Sequence, residues 1–296
     1  MTRMQANLLL LLAAAIWGGG FVAQSTAMQY LGANWFNALR FGLAFVVVLP
    51  FALREARNAN TPLTGRDWAS FVAIGFSLLA AQTTQQIGIK TTTVTNASFL
   101  TGLYVVFVPL IAVFILRRRP HWVIWPAAFL TLLGILLLSG GSLSGLRAGD
   151  HLIILCAVFI AIQITLTPLV VGKSGRPLAL AIAQFAVCAV GASLAGIAFE
   201  PIDGAAVAHA LPEILYAGIL SSGVAFVLQI IGQRYTTAPQ AAIFLSSEAV
   251  FGAVFGAILL DEMLPGIGYA GCALMFSAML LVELVPEIAR RRTSAA

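Results

Sequence analysis

Ten apolar stretches separated by short polar breaks run along the chain, at roughly 5–27, 34–54, 67–87, 93–116, 121–140, 150–170, 177–199, 211–232, 238–260 and 264–285. A helix needs about 20 predominantly apolar residues to cross a bilayer, so each stretch predicts one spanning helix. Inside hydrocarbon every backbone N–H and C=O must be bonded within the segment, which a helix does without a neighbour. The pattern also repeats. Shifted by 144 residues, the chain matches itself without a gap: Gln85 falls on Gln229, Gly88 on Gly232, Thr92 and Thr93 on Thr236 and Thr237, and Ser77 on Ser221. Phe41 falls likewise on Phe185 and Phe107 on Phe251. Leu and Ala coincidences are cheap in so apolar a chain; those of Gln, Ser and Thr are not. Two repeats follow, 1–145 and 146–296, each with five helices. Five is odd, so the second repeat enters the bilayer from the opposite side. The predicted fold is an all-α integral membrane protein of ten transmembrane helices, built as two inverted five-helix repeats in one membrane domain. That architecture belongs to transporters that alternate access around a midplane site.

Composition agrees: 60% of the residues are hydrophobic and 9% charged, against roughly 25% charged in soluble domains. Lys and Arg favour cytoplasmic loops, and here they lie almost wholly on one side. With the N-terminus inside, the cytoplasmic segments hold Arg3, Arg54, Arg57, Arg66, Arg117, Arg118, Arg119, Lys173, Arg176, Arg234, Arg290, Arg291 and Arg292. The external loops hold only Lys90 and Arg147, and both termini are expected in the cytoplasm. The pI near 9.5 is thus a topology signal. Basic residues scattered over alternate loops do not make a nucleic-acid-binding face. Met1 to Gly20 imitates a signal peptide, but its removal would leave nine spans and deprive the sixth of its repeat partner. Cys156, Cys188 and Cys272 lie inside spans without CxxC spacing, and His121, His151 and His209 sit in or beside loops. No disulfide, metal or cofactor is therefore expected. The absence of a GxxxxGK[ST] stretch argues against ATP-driven transport. The absence of an embedded His argues against an intramembrane hydrolase.

Polar groups in hydrocarbon are costly, so their placement marks the helices that face water or substrate. Near mid-span stand Trp17 (span 1), Ser77 (3), Tyr104 (4), Gln163 (6), Ser221 and Ser222 (8), and Ser246, Ser247 and Glu248 (9). The expected arrangement sets spans 1, 3, 4, 6, 8 and 9 around a cavity, with 5 and 10 outside. The substrate-binding candidates are Trp17, Ser77, Tyr104, Gln163, Ser246 and Glu248. The plainer alternative is that Ser and Thr bond their own helix carbonyls. Glu248 is the only acidic side chain near mid-bilayer, a candidate proton carrier or else a hydrogen-bonded tie between helices; its repeat partner is Tyr104. Arg40 is the only embedded base, about six residues or roughly 9 Å from the outer end of span 2, with Gln184 as its partner. It either receives a substrate carboxylate or acts structurally, and the structural role is the expectation. Trp17 sits away from the interfaces that Trp prefers, followed by Gly18, Gly19 and Gly20, which permit close approach or a bend. With Phe21, Tyr104, Phe107, Phe244 and Phe251 it would line a pocket for a flat or apolar ligand; the alternative is ordinary helix packing. Gln82, Gln85 and Gln86 form a polar stripe on span 3, mirrored by Gln229 and Gln233 on span 8.

At Ile16-Trp17-Gly18-Gly19-Gly20-Phe21, Arg40-Phe41-Gly42-Leu43-Ala44, Thr237-Ala238-Pro239-Gln240-Ala241-Ala242, Ser247-Glu248-Ala249-Val250-Phe251 and Leu260-Asp261-Glu262, the chain resembles the drug/metabolite transporter superfamily of the EamA type. The likeness covers essentially its whole length. Two departures stand out: Ala249, where the pattern has Pro, and Arg117 to Arg119, where many members have a Gly-Glu pair. The resemblance implies a bacterial inner-membrane exporter of metabolites, commonly amino acids. It implies a small-molecule substrate, with protons as a candidate coupling ion, and a chain acting as a monomer. The branch it most resembles exports aromatic amino acids and flat cationic compounds. The alternatives are a phosphorylated-metabolite antiporter like the nucleotide-sugar carriers, and a passive facilitator or channel. A dianionic substrate would call for several embedded Lys or Arg, and only Arg40 is present.

Overall fold

Apolar runs of twenty-odd residues, opened by side-chain caps, set the architecture. Thr2 and Gln5 form a reciprocal capping box at the first helix, as do Thr64 and Asp67 at the third, satisfying N–H groups that a helix start leaves free. The computed structural model describes residues 1–92, 94–138, 140, 148–260 and 266–294, with the backbone alone at 94–96, 98, 256, 257, 259, 260 and 287–294. Thr93, Arg147, Asp261 and Glu262 lie outside the described residues. In chain order the helices are α1 Arg3–Ala27, α2 Ala33–Arg57, α3 Gly65–Ile89, α4 Val94–Thr101, α5 Tyr104–Phe114, α6 Ile124–Leu138, α7 Ala148–Ser174 and α8 Pro177–Phe199. There follow α9 Gly204–His209, α10 Leu211–Leu215, a π-helical stretch Tyr216–Ala225, α11 Phe226–Gln233, α12 Ala238–Leu245, α13 Glu248–Leu260 and α14 Gly266–Ser294. Among the described residues there is no strand.

Among the described residues, seven helices are long and apolar enough to cross a membrane, and they fall at the first, second and sixth to tenth expected spans. The third is 25 residues long but diluted by Gln82, Thr83, Thr84, Gln85 and Gln86. The fourth and fifth are the shorter apolar helices Phe99–Phe114 and Ile124–Leu138. Among the described residues, length and apolarity alone thus mark seven of the ten expected crossings. The outer surface is strongly apolar, with Phe76, Phe129, Leu194, Ile197, Phe199 and Phe276 all exposed. Large apolar patches of this kind are rare on soluble monomers and belong against lipid.

Helices related by the 144-residue shift pack in related ways. α2 lies along α8, α6 along α14, and the α3–α7 contact is matched by that of α1 with the π-helical stretch and α11. Two carboxylates show that α2 and α8 run antiparallel. Glu55, near the end of α2, accepts from the backbone N–H of Leu178 and Ala179 (both 3.0 Å) at the start of α8, and pairs with Arg176 (3.2 Å). Glu200, just past the end of α8, accepts from the N–H of Asn34 (2.9 Å) and Trp35 (3.2 Å) at the start of α2. Asn34 and Trp35 fall on Leu178 and Ala179 under the shift, so each helix is capped by an acid at the end of its counterpart. A negative group suits the positive end of a helix, and hydrogen bonds to charged groups contribute about 1.5–3 kcal/mol. Glu200→Ala is expected to lose about that much stability, read as a lower unfolding midpoint in detergent, with Glu200→Gln losing less.

α1 runs unbroken through Gly18, Gly19 and Gly20, so these glycines serve close approach rather than a bend. A Cβ on Gly18 would stand 2.6 Å from the backbone nitrogen of Gly252 on α13. α5 and α7 likewise continue through Pro109 and Pro168.

Candidate functional site

Two helices tighten at the same place in the repeat. Leu103 N–H donates to Leu100 O (3.2 Å) and Val105 N–H to Gly102 O (3.1 Å), separating α4 from α5. Residues 144 further on repeat this between α12 and α13, where Ser247 N–H donates to Phe244 O and Ala249 N–H to Ser246 O (both 3.2 Å). These three-residue closures replace the four-residue closures of the α-helix. Ala249 supplies an N–H that a proline there would lack. Each turn delivers the next side chain, Tyr104 or Glu248, to the middle of the molecule. The two meet: the Tyr104 hydroxyl donates to Glu248 Oε1 at 3.4 Å. Both are buried.

A cavity of about 600 Å³ of atom-free space, its open side included, lies around this pair. Trp17 and Phe21 of α1, with Phe226 of α11, line it with aromatic surface. The Trp17 indole N–H donates to Ser221 O in the π-helical stretch (2.9 Å), and its ring meets Phe226 edge-on at 4.9 Å. π-helical segments are rare and gather at functional sites; this one also anchors α1 through the Tyr216 hydroxyl, which donates to Ile16 O (2.8 Å). Other lining groups are amides. Gln229 donates to Gln163 (3.0 Å), which donates to Gln184 (3.1 Å), and Gln85 reaches Thr101 (3.4 Å). Arg40 enters from α2, held by Asn37 (Nε to Oδ1, 3.0 Å) and by the side-chain oxygen of Gln82. Arg40 and Glu248 are the one cation and one acid among the lining residues described. No His, Cys or Lys is among the described lining residues. The arrangement can hold a molecule with a flat or apolar body on one side and polar groups on the other.

Of the six side chains expected to bind substrate, the structure brings Trp17, Tyr104, Gln163 and Glu248 together in this cavity. Ser77 and Ser246 do not line it. The Ser77 hydroxyl donates across to Phe159 O (2.9 Å), tying α3 to α7, and the Ser246 hydroxyl turns back to Ile243 O (2.7 Å). Ser221, the repeat partner of Ser77, lines the space instead. Phe21 is present as expected, but Phe107, Phe244 and Phe251 are not, and Phe226 is the added ring. The expected helices 1, 3, 4, 6, 8 and 9 all contribute, and α2 joins them through Arg40. α6 and α14, the fifth and tenth expected helices, pack against each other and contribute none of the described lining residues. Gln24, Gln82, Gln85, Thr101 and Gln229 complete the polar lining; the glutamine stripes were the available signal for three of these, Gln82, Gln85 and Gln229.

Comparison with known proteins agrees with this architecture. A protein of Archaeoglobus fulgidus described as "Uncharacterized transporter" is 30% identical over 292 residues, spanning 95% of this chain and 87% of its own. One solved structure, described only as "Crystal structure of protein", is 19% identical and covers 98% of this chain and 99% of its own. It superposes with a TM-score of 0.81, a likeness of fold. The profile of the EamA-like transporter family matches twice, over residues 4–140 and again over 147–284. With both halves matched in tandem, this multi-pass membrane protein belongs to the EamA-like transporter family.

Proposed function

We propose that the protein is a secondary transporter that exports small metabolites, amino acids with aromatic or other apolar side chains, across a bacterial inner membrane. Its ten membrane-crossing helices form two inverted five-helix units, 1–145 and 146–296, with both termini in the cytoplasm. The two units rock about the cavity so that it opens to one side at a time. The observation that carries this reading is the meeting of Tyr104 and Glu248, repeat counterparts that follow equivalent helix turns and line one cavity. Interrupted helices at matching positions in two inverted halves are where such transporters bind their cargo. The aromatic side, Trp17, Phe21 and Phe226, suits a flat or apolar side chain. The amide side suits polar groups. Glu248 is assigned the role of proton carrier, and the chain is taken to work as a monomer.

A phosphorylated-metabolite antiporter fits less well, since the described cavity lining holds one cation rather than several. The test is counterflow in proteoliposomes against a mixed amino-acid panel. Preloaded unlabelled aromatic or branched amino acid should drive uptake of the labelled compound several-fold over empty vesicles. Equal uptake with and without preloading, for every compound tried, would sink the proposal.

A further inference from the structure

We infer that Arg40 is a substrate-binding residue: the fixed cationic anchor that receives the carboxylate of the transported molecule. This deepens the transport reading above and rests on it for the identity of the cargo. Arg40 is only 2% exposed, about two turns into α2. It does not snorkel to an interface. Its Nε donates to Asn37, its Nη2 to Gln82, and the Asn37 amide donates in turn to the Gln82 carbonyl oxygen (3.2 Å). This closed ring fixes the guanidinium plane before anything binds. Phe36 and Phe41 flank it, with ring centroids 5.3 and 4.8 Å from the guanidinium carbon.

The charge itself is unanswered. Neither of the two ion pairs among the described residues involves Arg40, and its Nη1 donates to no protein acceptor among them. The residue lines the cavity. A helix tie does not need a charge at this position: the repeat counterpart, Gln184, is neutral and accepts from Gln163. An ionisable group inside a membrane that lines a cavity without an ion-pair partner marks a pathway or a ligand. The planar fork of Arg matches a carboxylate better than any other cationic side chain does. An amino acid held by its carboxylate at Arg40 would have its side chain free to meet the aromatic lining.

The experiment compares L-phenylalanine with L-phenylalaninamide, which keeps the ammonium group and ring but replaces the carboxylate with an uncharged amide. Thermal unfolding of the purified protein is followed against each compound. The acid should reach half-maximal stabilisation at a concentration at least about tenfold lower than the amide. Arg40→Gln should bring the two within about twofold, and Arg40→Lys should fall between. Should Arg40→Gln not fold, Gln82→Leu, which frees the fork but keeps the charge, should narrow the ratio. A wild-type ratio near one refutes the assignment whatever the variants do. Equal potency of the two compounds, stabilisation by neither, or full discrimination retained in Arg40→Gln each overturns the assignment. Counterflow is scored separately: transport without discrimination sinks only the role of Arg40, and discrimination without transport sinks only the transport cycle.

Discussion

In proteoliposomes, Glu248→Gln is expected to exchange labelled for unlabelled substrate at about the wild-type rate, yet to accumulate none when a pH gradient is imposed. The physical basis is the placement of this carboxyl group. It is buried, it lines the cavity, and its described hydrogen bond is the one received from Tyr104 at 3.4 Å. A charged carboxylate closed off from water carries a penalty of several kcal/mol. In the proposed cycle it takes up a proton before the cavity closes and gives it back once the cavity opens to water on the far side. With the exterior more acidic, each turn of that proposed cycle would carry a proton inward and leave the cavity free to carry substrate outward. Glutamine keeps the shape and can accept the same bond from Tyr104 through its side-chain oxygen, but it does not titrate. Loss of accumulation with retained exchange is the signature of a missing coupling ion. A wild-type protein indifferent to the pH gradient would make Glu248 a tie between α5 and α13.

Trp17→Ala should weaken apparent substrate affinity by tenfold or more while leaving a folded protein. Burial of an aromatic surface contributes about 1.5–3 kcal/mol, and ring pairing about 0.5–1.5 kcal/mol beyond that. A cargo stacked on Trp17 loses much of both. The helix keeps its other anchors, the Gly18–Gly252 approach and the Tyr216 bond to Ile16. Trp17→Phe should fall between, because it retains a ring but loses the bond to Ser221 O. Normal transport by the alanine variant, or its failure to fold, would make Trp17 packing.

Much of this organisation was legible in the sequence because its signals are chemical rather than positional. The repeat was visible in Gln, Ser and Thr coincidences, and Glu248 and Trp17 stood out as groups that hydrocarbon tolerates poorly. The rotation of each helix about its axis was not legible. α5 and α13 are apolar on every face, so no stripe distinguishes a cavity-facing Phe from one in the core or against lipid, and Phe107 and Phe251 were chosen over Phe226. Ser77 and Ser221 are repeat partners, yet one ties two helices and the other lines the cavity; identical residues in the two halves carry no mark of that difference. The helix turns before Tyr104 and Glu248 lie at Thr101-Gly102 and Ser246-Ser247, small and polar residues that unbroken membrane helices also carry, so they do not by themselves announce a turn. The caps at Glu55 and Glu200 join positions more than 120 residues apart, beyond the reach of any local motif. Arg40 was expected to be structural because its lack of a counter-charge is a property of the packed molecule.

Alternating access is tested most directly by thiol labelling at Gln85 and Gln229, repeat counterparts that both line the cavity. The native Cys156, Cys188 and Cys272 would first be replaced, and a single cysteine then placed at either position. A membrane-impermeant reagent should reach Gln85→Cys only from outside and Gln229→Cys only from inside. Adding substrate should raise labelling at one position while lowering it at the other. Labelling of both positions from the same side, or a rise and fall in step, would contradict the rocking of two inverted halves and identify a fixed pore.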